Sequence, residues 1–181
     1  MEQNNEHKTL NVRDWIILST TMIGAVLTIL ALIWQARPST GIVTVTFLLM
    51  LSFVFFVNSV SCNSRANYEA KQGKVIEKKV KNFVTFAEYS FGFGFTLVIN
   101  AFSILGYEYL LDFIGRQLYV LILPIVFLLT AWIIIIIYNS ISYSGKFLKG
   151  LRSTKRNLWT LLEIICLVII AFDFYGMLVI P

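Results

Sequence analysis

Three acidic side chains, Glu88, Glu163 and Asp173, fall inside long apolar runs of this chain, and no other formal charge does. An acid at the centre of a membrane helix costs up to ~3 kcal/mol, so in that setting it points to proton or cation chemistry. The residues around Glu88 extend the idea. Thr85, Glu88, Gly92, Thr96, Asn100 and Ser103 recur at steps of three or four, which is one face of a helix. Thr160, Glu163, Cys166, Ile170 and Asp173 form a sparser copy. Such a face can line a polar path in which Glu88 and Glu163 bind a cation or proton and Asn100 and Asp173 continue the route. It can also be packing, because small residues let membrane helices approach and polar ones tie them at ~0.6–2 kcal/mol. Packing is the simpler reading for Thr85, Thr160 and the small residues. For the two glutamates a hydroxyl or amide would tie helices at less cost, which favours a site. Asp173 lies near the far end of its run and can also reach lipid head groups.

The two glutamates belong to matching stretches. KNFVTFAE at 81–88 and RNLWTLLE at 156–163 share a basic residue, Asn, two apolar positions, Thr, two apolar positions and Glu. Upstream, NSVS at 58–61 precedes the first stretch and NSIS at 139–142 precedes the second. Helix capping by Asn82 and Asn157 and the gathering of basic residues at membrane ends explain part of the match. Neither explains the glutamates or the upstream pair. The pattern predicts two helix hairpins in parallel repeat, related by an axis along the membrane normal. Asn58, Glu88, Asn139 and Glu163 each stand seven residues from the nearest basic residue of the flanking loop. At 1.5 Å per helical residue that is ~10 Å, so the four are expected in one polar layer near the inner face. Asn100 and Asp173 are expected in a second layer ~15–18 Å higher.

The elements that must hold these residues are membrane helices. Of the 181 residues, 57% are hydrophobic, too much apolar surface for a soluble domain of this size. The apolar residues gather in five blocks, 15–34, 41–61, 83–106, 117–140 and 158–180. Each reaches the ~20 residues that a helix needs to cross hydrocarbon, and backbone groups in lipid must be satisfied within the segment. The expected fold is therefore an all-α integral membrane protein. A polar tail, 1–14, precedes a single five-helix membrane domain, 15–181, in which the first span is added to the two hairpins. With the N-terminus cytoplasmic, thirteen of the fifteen basic residues lie inside, leaving only Arg37 and Arg116 outside. The inner loops should attract anionic lipid head groups at roughly 1 kcal/mol per residue. Interfacial aromatics are expected at Trp15, Trp34, Tyr107, Tyr109, Trp159 and Tyr175. Pro124, early in the fourth span, is expected to kink it or loosen its hydrogen bonds.

Several function classes drop out. The net charge of +5 is accounted for by topology and does not point to nucleic acid. Cys62 and Cys166 make no disulfide framework, and the single histidine, His7, stands in the polar tail. The sequence carries no metal-ligand cluster, nucleophile–histidine pair or glycine-rich phosphate loop, and nothing that calls for a cofactor. What remains is a cation or proton channel or transporter of the plasma membrane. The alternative is a non-catalytic subunit, scaffold or assembly factor whose polar layer only fixes packing. It would work as a homo-oligomer or with membrane-protein partners. An enzyme is not expected. An intramembrane lipid enzyme using carboxylates as acid and base ranks last, because the polar layer offers no His or Lys.

Overall fold

The computed structural model describes residues 2–35, 40–71, 77–142 and 154–181, and every regular element among them is helical. Among the described residues there are five α-helices: α1 (Glu2–Gln35), α2 (Ile42–Lys71), α3 (Glu77–Ile114), α4 (Ile122–Ser142) and α5 (Thr154–Phe174). A 3-10 turn, Leu118–Leu121, leads into α4. Among the described residues, three helices are long and apolar enough to cross a membrane, over Val12–Gln35, Ile42–Ala70 and Lys78–Ile114, and a shorter apolar helix covers Leu118–Ile134. Two compact units divide the chain, 1–35 with 49–95 and 36–48 with 96–181.

Several boundaries differ from the sequence expectation. The polar tail is helical back to Glu2, and residues 2–14 contain neither Gly nor Pro to stop it. Helix α3 runs past the expected end at 106 to Ile114. No breaker occurs in YEYLLDFI, and Gly115 then ends the helix at φ +80°. Its N–H bonds the Leu111 carbonyl at 2.9 Å, as a left-handed glycine cap does. Helix α5 stops at Phe174, short of the expected 180. A return segment follows, held by Gly176 N–H to Asp173 O at 2.8 Å and Met177 N–H to Phe172 O at 2.9 Å. Pro124 is the third residue of α4. In a first turn its missing N–H needs no partner, so the expected kink has no cause.

The first unit packs α1 against parts of α2 and α3. Ser19 and Ser59 hydroxyls meet at 3.2 Å, both fully buried. An aromatic cluster binds the three helices. Trp15 meets Phe91 edge-on at 5.1 Å, Phe55 stacks on Phe93 at 5.6 Å, and Phe56 tilts against Phe91 at 5.5 Å. A Cβ at Gly94 would stand 3.0 Å from the Phe56 ring, so the glycine lets the aromatic in. The α2–α3 pairing is antiparallel and keeps one register throughout. Phe55 lies against Phe93, Asn58 bonds Ser90, and Glu69 pairs with Lys79 at 3.1 Å. Arg65 adds a second ion pair to Glu69 at 2.6 Å.

Candidate functional site

The second unit holds most of the buried polar chemistry. Its seam joins α3 from Thr96 onward to α5, running in parallel. Asn100 Nδ2 donates to the Leu162 carbonyl at 3.4 Å, and the Cys166 thiol donates to the Asn100 carbonyl at 3.9 Å. Two turns further along both helices, the Tyr107 hydroxyl donates to Asp173 Oδ2 at 2.7 Å. Thr96, Asn100, Ser103 and Tyr107 follow at steps of four, three and four, and all four are buried. The small and polar face read from the sequence is therefore the face that α3 buries here.

Glu163 lies between Leu162 and Cys166, and only 4% of it is exposed. Its Oε1 is buried with no hydrogen-bond partner, and the same holds for Asn100 Oδ1. Asn100 cannot relieve this by turning its amide over, because Oδ1 would then face the Leu162 carbonyl, acceptor against acceptor. Charge at Glu163 would be costly, since a buried carboxylate needs donors. Two acceptors without donors, Glu163 Oε1 and Asn100 Oδ1, thus lie on the two helices of this seam.

Asp173 contrasts with this. It is equally buried, at 4%, yet both oxygens are engaged, Oδ2 by Tyr107 and Oδ1 by the Ile180 N–H at 3.0 Å. The carboxylate anchors the return segment. Ile180 and Pro181 carbonyls then accept from Gly41 N–H at 3.1 Å and Thr44 N–H at 2.9 Å, which satisfies donors at the start of α2. Glu108, just past the third apolar block, is 3% exposed on α3; its Oε2 accepts from the Thr40 hydroxyl at 2.8 Å and its Oε1 is buried without a partner.

The expected layers separate differently. Asn100 lies level with Leu162–Cys166 and hence with Glu163, whereas Tyr107 is the residue level with Asp173. The second layer of Asn100 with Asp173 is thus corrected: a parallel pairing sets Asp173 seven residues beyond Cys166 and Tyr107 seven beyond Asn100. Asn58 and Glu88 belong to the first unit. Asn58 donates to Ser90 Oγ at 2.6 Å and accepts from the Cys62 thiol at 3.8 Å. Glu88 and Thr85 are half-buried on α3, and Thr160 is half-buried on α5. Asn139 is on α4, and its side chain lies outside the described residues. In the repeat expected from the sequence, Ser90 would correspond to Ile165, so the Asn58 bond has no polar counterpart there.

Two residues read as interfacial aromatics turn inward. Tyr107 is fully buried on Asp173, and Trp159 Nε1 is buried without a partner. The signal for Tyr107 was present, four residues beyond Ser103 on the same face. Trp34, Tyr109 and Tyr175 are exposed at 62–68%. Compared with known proteins, the chain matches no family model, no curated protein and no solved structure.

Proposed function

We propose that this chain is a polytopic membrane protein that passes a proton or small cation, with Glu163 as the binding carboxylate and Asn100 as its positioning partner. The observation that carries the reading is a buried glutamate with an unpartnered oxygen beside an amide oxygen in the same condition. Asp173, by contrast, has both oxygens engaged, whereas Glu108, whose Oε1 is likewise without a partner, is held through Oε2 by the Thr40 hydroxyl. The proposal includes five crossings with the N-terminus cytoplasmic, a parallel repeat of spans two–three and four–five, and anionic lipid at the basic inner loops of a plasma membrane. Helices α4 and α5 each run 21 residues, ~31 Å at 1.5 Å per residue, enough to cross a ~30 Å core.

The scaffold or assembly-factor reading draws on Asn58 and Asp173, whose partners are those of packing residues. The two readings part on flux. Purified protein in liposomes should move protons or alkali cations, and Glu163→Gln should abolish that movement while remaining folded. No flux from a folded wild type would leave the scaffold reading, and equal flux from wild type and variant would remove Glu163 from the path.

A further inference from the structure

The return segment, 175–181, is fastened at few points. Gly176 turns the chain at φ +73°, a conformation open to glycine. Beyond it Met177 and Val179 are 74% and 71% exposed, whereas Ile180 is buried. The Ile180 N–H donates to Asp173 Oδ1, and the Ile180 and Pro181 carbonyls accept from Gly41 and Thr44 at the start of α2. That start has a separate hold on α3. The Thr40 hydroxyl donates to Glu108 Oε2, and Gly41 lies against the Glu108 side chain. Segments with few buried apolar contacts open well below the free energy of global unfolding. If this segment lifts at Gly176, the N–H groups of Ile180, Gly41 and Thr44 lose these acceptors in one step, while Thr40 and Glu108 still hold α2.

We propose that residues 175–181 form a strap that opens as one unit and is the outer gate of the α3–α5 seam. The gating half rests on the conduction reading and deepens it. Asp173 is the fastening point, with Oδ2 on the Tyr107 hydroxyl of α3 and Oδ1 on the Ile180 N–H of the strap. Tyr107, Asp173 and Ile180 are exposed at 0, 4 and 1%. With the strap closed, the Tyr107–Asp173 pair is therefore sealed from solvent. Opening frees Asp173 Oδ1 and bares that pair, two turns beyond Asn100, to the outer side. The route outward from Glu163, along the buried face of Asn100, Ser103 and Tyr107, then ends in water rather than under Ile180. Backbone bonds and one buried aliphatic side chain close the strap, so packing at Ile180 sets how often it opens.

Amide hydrogen exchange, followed by NMR on the full chain in lipid nanodiscs, tests the strap. The expected result is one protection factor shared by Gly41, Thr44 and Ile180, lower than those of Asn100 and Ile104 inside α3. Ile180→Ala removes the buried anchor and should lower protection at Gly41 and Thr44 on the order of tenfold or more. Gly115, whose N–H bonds within its own helix, should be unchanged. Three unrelated protection factors, or protection equal to that inside α3, would overturn the strap. That comparison needs wild type alone, so it decides even if the variant fails to fold. Flux tests the gate. Proton or alkali-cation flux into liposomes should rise in Ile180→Ala, and flux equal to wild type would overturn the gate. No flux from a folded wild type would end the conduction reading and the gate with it, while the opening unit stands or falls on exchange.

Discussion

Glu163 and Asp173 lie ten residues apart on α5, equally buried, in opposite surroundings. Removing each should therefore fail differently. Asp173→Ala leaves a buried tyrosine hydroxyl and the Ile180 N–H without acceptors. At ~1–3 kcal/mol for each orphaned group, we expect destabilisation of about 2–4 kcal/mol, read by unfolding in detergent. Tyr107→Phe removes one bond and should cost about 1 kcal/mol in the same measurement. Glu163→Gln behaves the other way. Its amide brings donors to a place of unpaired acceptors, so stability should hold or rise by about 0.5–1.5 kcal/mol while flux is lost. A loss of stability comparable to that of Asp173→Ala would mark Glu163 as a packing residue. The sequence separates these acids only by depth, since both are carboxylates in one apolar run and Asp173 lies nearer its end. What separates them is the Ile180 N–H, delivered by a return segment that hydropathy reads as more helix.

Helices and their ends account for most of what was legible. Five helices are visible as apolar blocks, and the faces of α3 and α5 follow from three- and four-residue steps. The ends were less legible because apolar content does not mark where a helix stops. YEYLLDFI continues α3 as an amphipathic turn, and the Gly115 cap lies beyond it. Gly41 gives a test at this scale. Its φ is +76°, and a Cβ would come 2.6 Å from Glu108 Cγ. Gly41→Ala should therefore cost more than ~1 kcal/mol, the left-handed strain plus the displacement of a buried acid. Gly115 has a similar φ of +80° and open space around it. Gly115→Ala should cost only the strain, on the order of 1 kcal/mol. Equal melting temperatures for the two variants would remove the close approach at Glu108 from the account. The pairing register of α3 with α5 was beyond reach of the sequence. Counting residues from the basic loops assumes that each helix enters at the same depth, and the Asn100–Leu162 bond sets a different match.

For the whole molecule, the distribution of basic residues carries a topology that labelling can check. Cys62 and Cys166 are buried, so native thiols should give little background. Cysteines placed at Lys74 or Lys149 should react with an impermeant maleimide only from the cytoplasmic side, and one at Arg116 only from outside. Labelling of Lys74→Cys and Lys149→Cys from opposite sides would break the parallel repeat. In the proposed function Glu163 is the carboxylate through which a proton or small cation passes. The most direct test of that role is proton or alkali-cation uptake by sealed liposomes under an imposed inside-negative potential, comparing wild type, Glu163→Gln and Tyr107→Phe. The account predicts uptake by wild type and by Tyr107→Phe, and uptake at the protein-free rate for folded Glu163→Gln. Uptake by Glu163→Gln equal to wild type would contradict it.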